Sequence, residues 1–260
     1  MRRDSLFWGG ALIILGVLLY LQTQGIINNL FQYLWPIAMM LVGIWLILGV
    51  YWKPAPMSGE TFSIPLDSAA QTVNYSFSHG AGQLDISGGA PTGQVLVGSA
   101  ASGMNHKSRL IGDQFDIRVD AGPSFLPFLG PSGGVWYFQL VRDLPVLLNV
   151  DAGASAINID LQDVLARHLA VKTGASSVNV RMPARGTCLF DLDGGATSVN
   201  ITIPETTAAR IRVDGVTSMD VDVNRFPRLG SDLYQSPDFE EASNRAEINI
   251  TSGLGKVSVR

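Results

Sequence analysis

A phrase of nine residues recurs along this chain, and its spacing constrains the fold more than any other feature. It reads Gly-Ala-Ser-Ala-Ile-Asn-Ile-Asp-Leu from Gly153 to Leu161 and returns from Gly174, Gly195 and Gly215, at spacings of 21, 21 and 20 residues. Two shorter versions begin at Gly80 and Gly253. So regular a period predicts stacked structural units, each burying its apolar face against its neighbours. After its small-residue turn the phrase alternates apolar and polar residues, the period of a half-buried strand. The residues before each glycine alternate too, as in Leu148 and Val150 or Phe190 and Leu192. Each unit therefore reads strand, turn, strand. The predicted fold for residues 61–260 is an all-β repeat domain, a β-solenoid-like stack of rungs about 21 residues long. The glycine is expected to supply a backbone conformation that a side chain would penalise, and the following Ser or Thr a local hydrogen bond.

Stacking at this period aligns Asn158, Asn179, Asn200 and Asp220 in one file. The plain expectation is a polar ladder facing solvent. A metal-binding or sugar-binding stripe is the sharper one, but amides are weak metal ligands and no His or Cys joins the file.

Charged residues make up only 15% of the chain, and the cause is local: residues 5–52 contain no Asp, Glu, Lys or Arg. Two apolar runs in this stretch predict a transmembrane helical hairpin over residues 1–53, with spans at about 6–22 and 34–52, in contact with membrane lipids. Trp8, Tyr20, Tyr33, Trp35, Tyr51 and Trp52 lie near the ends of the runs, where aromatic rings favour the membrane interface. A cleaved signal peptide is the competing reading, but no small-residue cleavage site follows the first run. Arg2, Arg3 and Lys53 flank the hairpin on one side and the intervening loop carries no basic residue. This asymmetry predicts a two-span membrane protein with its β domain in the cytoplasm. Residues 54–60 read as a linker.

The repeat is interrupted twice. Residues 115–122 look like the start of a rung, since Gly122 lies 42 residues after Gly80, but a Pro/Gly-rich loop follows. It carries Phe125, Leu126, Phe128 and Leu129, which are expected either to cover the core or to contact a partner or the membrane. Residues 226–244 form the second insertion.

No catalytic, cofactor-binding or metal-binding pattern emerges. His79, His106 and His168 have no metal-ligand spacing. Cys188 is a lone thiol in an apolar stretch, expected to be buried and structural. Gly130 to Gly134 forms neither a phosphate-binding loop nor a nucleophile elbow. No basic stripe is present to track nucleic acid. The expectation is a non-enzymatic protein.

Phe7-Trp8-Gly9-Gly10 and Leu34-Trp35-Pro36, opening the two apolar runs, resemble the LiaI/LiaF-like transmembrane region. The Gly-Ala-Ser-x-Val-Asn-Val rungs resemble the toast-rack β domains of LiaF-like and adhesin-like proteins. The resemblance implies a bacterial, membrane-anchored regulator or scaffold in the cell-envelope stress response. Such a protein acts through protein–protein contacts, in some cases with a membrane-bound sensor kinase. An adhesin-like or structural module that self-associates or binds an envelope polymer is the alternative. LiaF-like proteins often carry four spans, and this chain shows two.

Overall fold

The alternating pattern produces thirteen strands among the described residues of the repeat region, joined in one sheet. The computed structural model describes residues 60–100, 104–121 and 133–260, together with Tyr20, Gln24 and Met39. The chain divides into two compact units, Met1–Met57 and Ser58–Arg260. In the first, Tyr20 and Met39 are helical and exposed, and the Gln24 amide donates to the Tyr20 carbonyl at 3.2 Å. Among the described residues no helix is long and apolar enough to cross a membrane. The rest of the predicted spans lies outside the described residues, with Trp8, Tyr33, Trp35, Tyr51 and Trp52.

In the second unit the strands are β1 (Glu60–Pro65), β2 (Thr72–Gly88), β3 (Gln94–Ala100), β4 (Met104–Ile111), β5 (Gln114–Ala121), β6 (Gly133–Leu140) and β7 (Val146–Asp160). There follow β8 (Ala166–Arg181), β9 (Thr187–Thr202), β10 (Ala208–Asp214), β11 (Ser218–Val221), β12 (Leu233–Gln235) and β13 (Arg245–Val259). β7, β8 and β9 pair in parallel, with Val150 beside Val171 and Val171 beside Leu192. A straight strand as long as β7 would extend about 50 Å, yet residues 161–165 return the chain to the start of β8 with a reach of only about 20 Å. Each long strand must therefore fold back on itself at the glycine. One arm precedes the corner and the other follows it, so the sheet doubles into two layers.

Inward residues of both arms fill the space between the layers. Tyr75, Leu148, Leu169, Phe190, Ile248 and Ile211 stack in register from the first arm. Leu84, Ile157, Val178, Val199 and Val257 do so from the second, and all these side chains are buried. Non-directional apolar burial, repeated at every rung, holds the layers together. The Tyr75 hydroxyl crosses to the β3 side and donates to the Val95 carbonyl at 2.6 Å.

The glycine at the corner acts differently from the expectation. Of the six glycines that open the phrase, only Gly215 has a positive φ, of 73°. At Gly153 and Gly195 the reason is space. A Cβ on Gly153 would lie 2.5 Å from the Gly80 carbonyl oxygen, and one on Gly195 would lie 2.7 Å from that of Gly174. At these two corners the neighbouring backbone leaves no room for a side chain, and at Gly174 and Gly253 the fit is tight, at 3.1 and 3.2 Å. The hydroxyls also reach further than expected: the Ser155 amide donates to Ser176 Oγ on the next rung at 3.2 Å.

Stacking order departs from sequence order at both ends. The long strands run β2-β7-β8-β9-β13, with the shorter β10 after β13. β13, last in sequence, lies between β9 on one side and β10 and β11 on the other. At the opposite end, β5 pairs the first arm of β2 and β6 pairs its second arm. Together β5 and β6 make one rung, divided at its corner by residues 122–132. At the other end β10 and β11 make a second divided rung, pairing the first and second arms of β13. Beyond the divided rungs the sheet continues antiparallel, through β4, through β3 and β1, and through β12.

Candidate functional site

The second arm of every rung turns one row of side chains away from the core. In register across the sheet this row reads Thr61, Ser99, Tyr137, Asp85, Asn158, Asn179, Asn200, Ser258 and Asp220. Every member is polar or, as in Tyr137, amphipathic. The part from Thr61 to Asn200 lines a groove of about 610 Å³.

Hydrogen bonds order the row. Asn158 Nδ2 donates to Asp85 Oδ1 at 2.6 Å, Asn179 Nδ2 to Asn158 Oδ1 at 2.8 Å, and Asn200 Nδ2 to Asn179 Oδ1 at 2.9 Å. Gln83 Nε2 donates to the other oxygen of Asp85 at 2.7 Å. An ionised carboxylate only accepts, so Asp85 forces Asn158 to turn its amide nitrogen inward along the row. The Asn158 carbonyl is then free to accept from the next rung, and the same orientation passes to Asn179 and Asn200. One rim carries Asp160 and Arg181, 3.4 Å apart and about half exposed.

The sequence places Asn158, Asn179 and Asn200 together, and the structure does the same. Asp220 shares the row but stands one strand further out, because Ser258 of β13 separates it from Asn200. It pairs with Arg260 at 3.4 Å. Asp85 holds the Asn position of the phrase that starts at Gly80, so its membership could have been read from the repeat. Tyr137, Ser99 and Thr61 could not, since β1, β3 and β6 lack the phrase. Phe125, Leu126, Phe128 and Leu129 lie outside the described residues. Tyr20 is 63% exposed, and its hydroxyl accepts from Gln24 Nε2 at 3.3 Å.

The remaining reactive side chains are dispersed. Cys188 is buried and its thiol is pushed up to about 12 by burial. His79 is buried at a corner, with Nδ1 3.0 Å from Ser155 Oγ and its ring edge-on to Trp136. Burial holds its pKa below the ordinary value, opposed by a hydrogen bond to the Gly134 backbone. His106 stacks on Phe62, and His168 lies 2.9 Å from Asp191 Oδ2. Among the described residues no group of His, Cys, Asp or Glu is arranged to hold a metal ion.

Residues 53–202 match the sequence profile of a family described as the N-terminal domain of toast_rack, DUF2154. No curated protein matches the chain in sequence. Among solved structures, the fold is similar to that of a Clostridium sporogenes protein proposed to act in cell adhesion, with a TM-score of 0.69 and 16% identity. The similarity covers 78% of this chain and 99% of that one.

Proposed function

This chain belongs to the toast_rack N-terminal domain family, and on that premise we propose that it is a non-enzymatic, adhesin-like module of the cell envelope, working through the polar groove of its β stack. The observation that carries the reading is the continuous polar row from Thr61 to Asp220, laid across nine strands and partly enclosed in a groove. A stiff, repetitive surface of this kind suits a repetitive ligand or a second copy of itself. Binding rather than catalysis is supported by the state of the groove's carboxylates. Both oxygens of Asp85 accept amide N–H groups, and Asp160 faces Arg181, so both carboxylates are tied into the surface's own polar pairing. The fold similarity to a protein proposed to act in cell adhesion points the same way.

Residues 1–53 serve in this reading as a two-span membrane hairpin anchoring the β domain, residues 61–260, through the linker 54–60. Adhesion requires the β domain outside the cell, whereas the basic residues Arg2, Arg3 and Lys53 favour the cytoplasmic side. A second reading draws on the LiaI/LiaF-like resemblance of the hairpin: regulation of envelope stress through a membrane-bound signalling protein. Alkaline phosphatase fused after Arg260 separates the two. Activity supports the adhesin-like module; an inactive fusion, with a fluorescent protein glowing in its place, overturns it in favour of the regulator.

A further inference from the structure

We infer that the groove binds a neutral, hydroxyl-rich polysaccharide, laid along the row of Asn158, Asn179 and Asn200 and therefore across the strands. This deepens the adhesin-like reading and rests on it. An Asn side chain offers two N–H donors and two acceptor lone pairs. Asn158 and Asn179 each spend one donor and one acceptor on the ladder. Each rung is left with one unused donor and one unused acceptor, repeated at the strand spacing of about 4.8 Å. A sugar hydroxyl is itself both donor and acceptor, and the residues of an extended β-linked pyranose chain follow one another at nearly the same interval, offering ring and exocyclic hydroxyls in turn along one edge. The ladder fixes the amides before the ligand arrives, so little rotamer freedom is lost on binding.

Tyr137 completes the match. It is in register with Asp85 and 53% exposed, which makes its ring an apolar platform beside the amides for the C–H face of a sugar. Charge gives no reason for an ionic ligand. Asp85 is satisfied by Gln83 and Asn158, and Asp160 is opposed by Arg181. A peptide adding itself as a strand would use a sheet edge, and this groove lies on a sheet face. The shared amide direction, from Asn200 towards Asp85, also gives the site a polarity, so a directional chain is bound in one orientation.

Calorimetric titration of the chain with N-acetylated chitohexaose and with cellohexaose, each beside its own disaccharide, tests this. At least one hexasaccharide should bind, about tenfold or more tighter than its disaccharide, because contacts repeat along the row. Tyr137→Ala and Asn179→Asp should each weaken that binding about tenfold while leaving the melting curve cooperative. If Asn179→Asp fails to fold, Tyr137→Ala, on an exposed ring, decides alone. Absence of binding to both hexasaccharides overturns the inference, as does binding that neither variant weakens. Co-sedimentation of the detergent-solubilised chain with membrane-free cell walls keeps the two levels apart. A chain that sediments with the walls but binds neither hexasaccharide leaves the adhesin-like reading standing without the glycan; one that does neither removes both.

Discussion

The Cβ that Gly153 lacks would lie 2.5 Å from the carbonyl oxygen of Gly80, one rung away. The two residues are far apart in sequence, yet their backbones approach closely enough to exclude even a methyl group. Gly153→Ala is therefore expected to force the corner apart and to destabilise the domain by about 1–3 kcal/mol, the range typical of overpacking. Gly174→Ala, whose Cβ would meet the Gly153 oxygen at 3.1 Å, should lose less. Urea unfolding of the two variants measures the difference; equal losses would contradict the stacking argument.

The two sides of one strand should respond differently to the same charge. Val180 is 2% exposed and faces the other layer, so Val180→Asp places an unpaired carboxylate in the core and should destabilise by about 3 kcal/mol or more. Asn179→Asp keeps the acceptor used by Asn200 but loses the donor to Asn158, leaving two oxygens face to face. Its loss should be about 1 kcal/mol. Denaturant midpoints of the two variants, compared at equal m-value, check the assignment of faces.

His79 should make the fold acid-sensitive. Burial holds its pKa below the ordinary 6.5, so the folded state keeps the ring neutral where the unfolded chain protonates it. Below about pH 6.5 the unfolded state binds the extra proton, and stability falls as pH falls. The melting temperature should decline from pH 7.5 to 5.0 more steeply in the natural chain than in His79→Gln. Parallel pH profiles would show that another group governs the acid response.

The hairpin of residues 1–53 is expected to remain in the mature protein and to integrate into the membrane, on the strength of its uncharged run from 5 to 52. Alkaline carbonate extraction should leave the chain in the membrane pellet. Release into the supernatant, or a mature N-terminus beyond Gln24, would count against it.

The repeat alone made the rungs legible, because a strand's alternation is a local property and a fixed period forces equivalent residues into register. That is why Val178, Val199, Asn179 and Asn200 could be assigned to opposite faces from the sequence. The corner glycines were recognisable as essential, but not the reason. A positive φ and a close approach leave the same mark in a sequence, and only the neighbouring backbone tells them apart. The order of the rungs was beyond the sequence for a similar cause: β13 between β9 and β10 satisfies the same local pattern as the sequential order, and only the pairing of distant strands tells the two apart. Tyr137 entered the row through that pairing. Its strand carries no copy of the phrase, and only tertiary structure sets it beside Asp85. The sequence determined what each rung is made of, through local periodicity. The tertiary structure decided which rungs touch, because hydrogen-bond pairing between distant strands is a non-local choice that no single segment encodes.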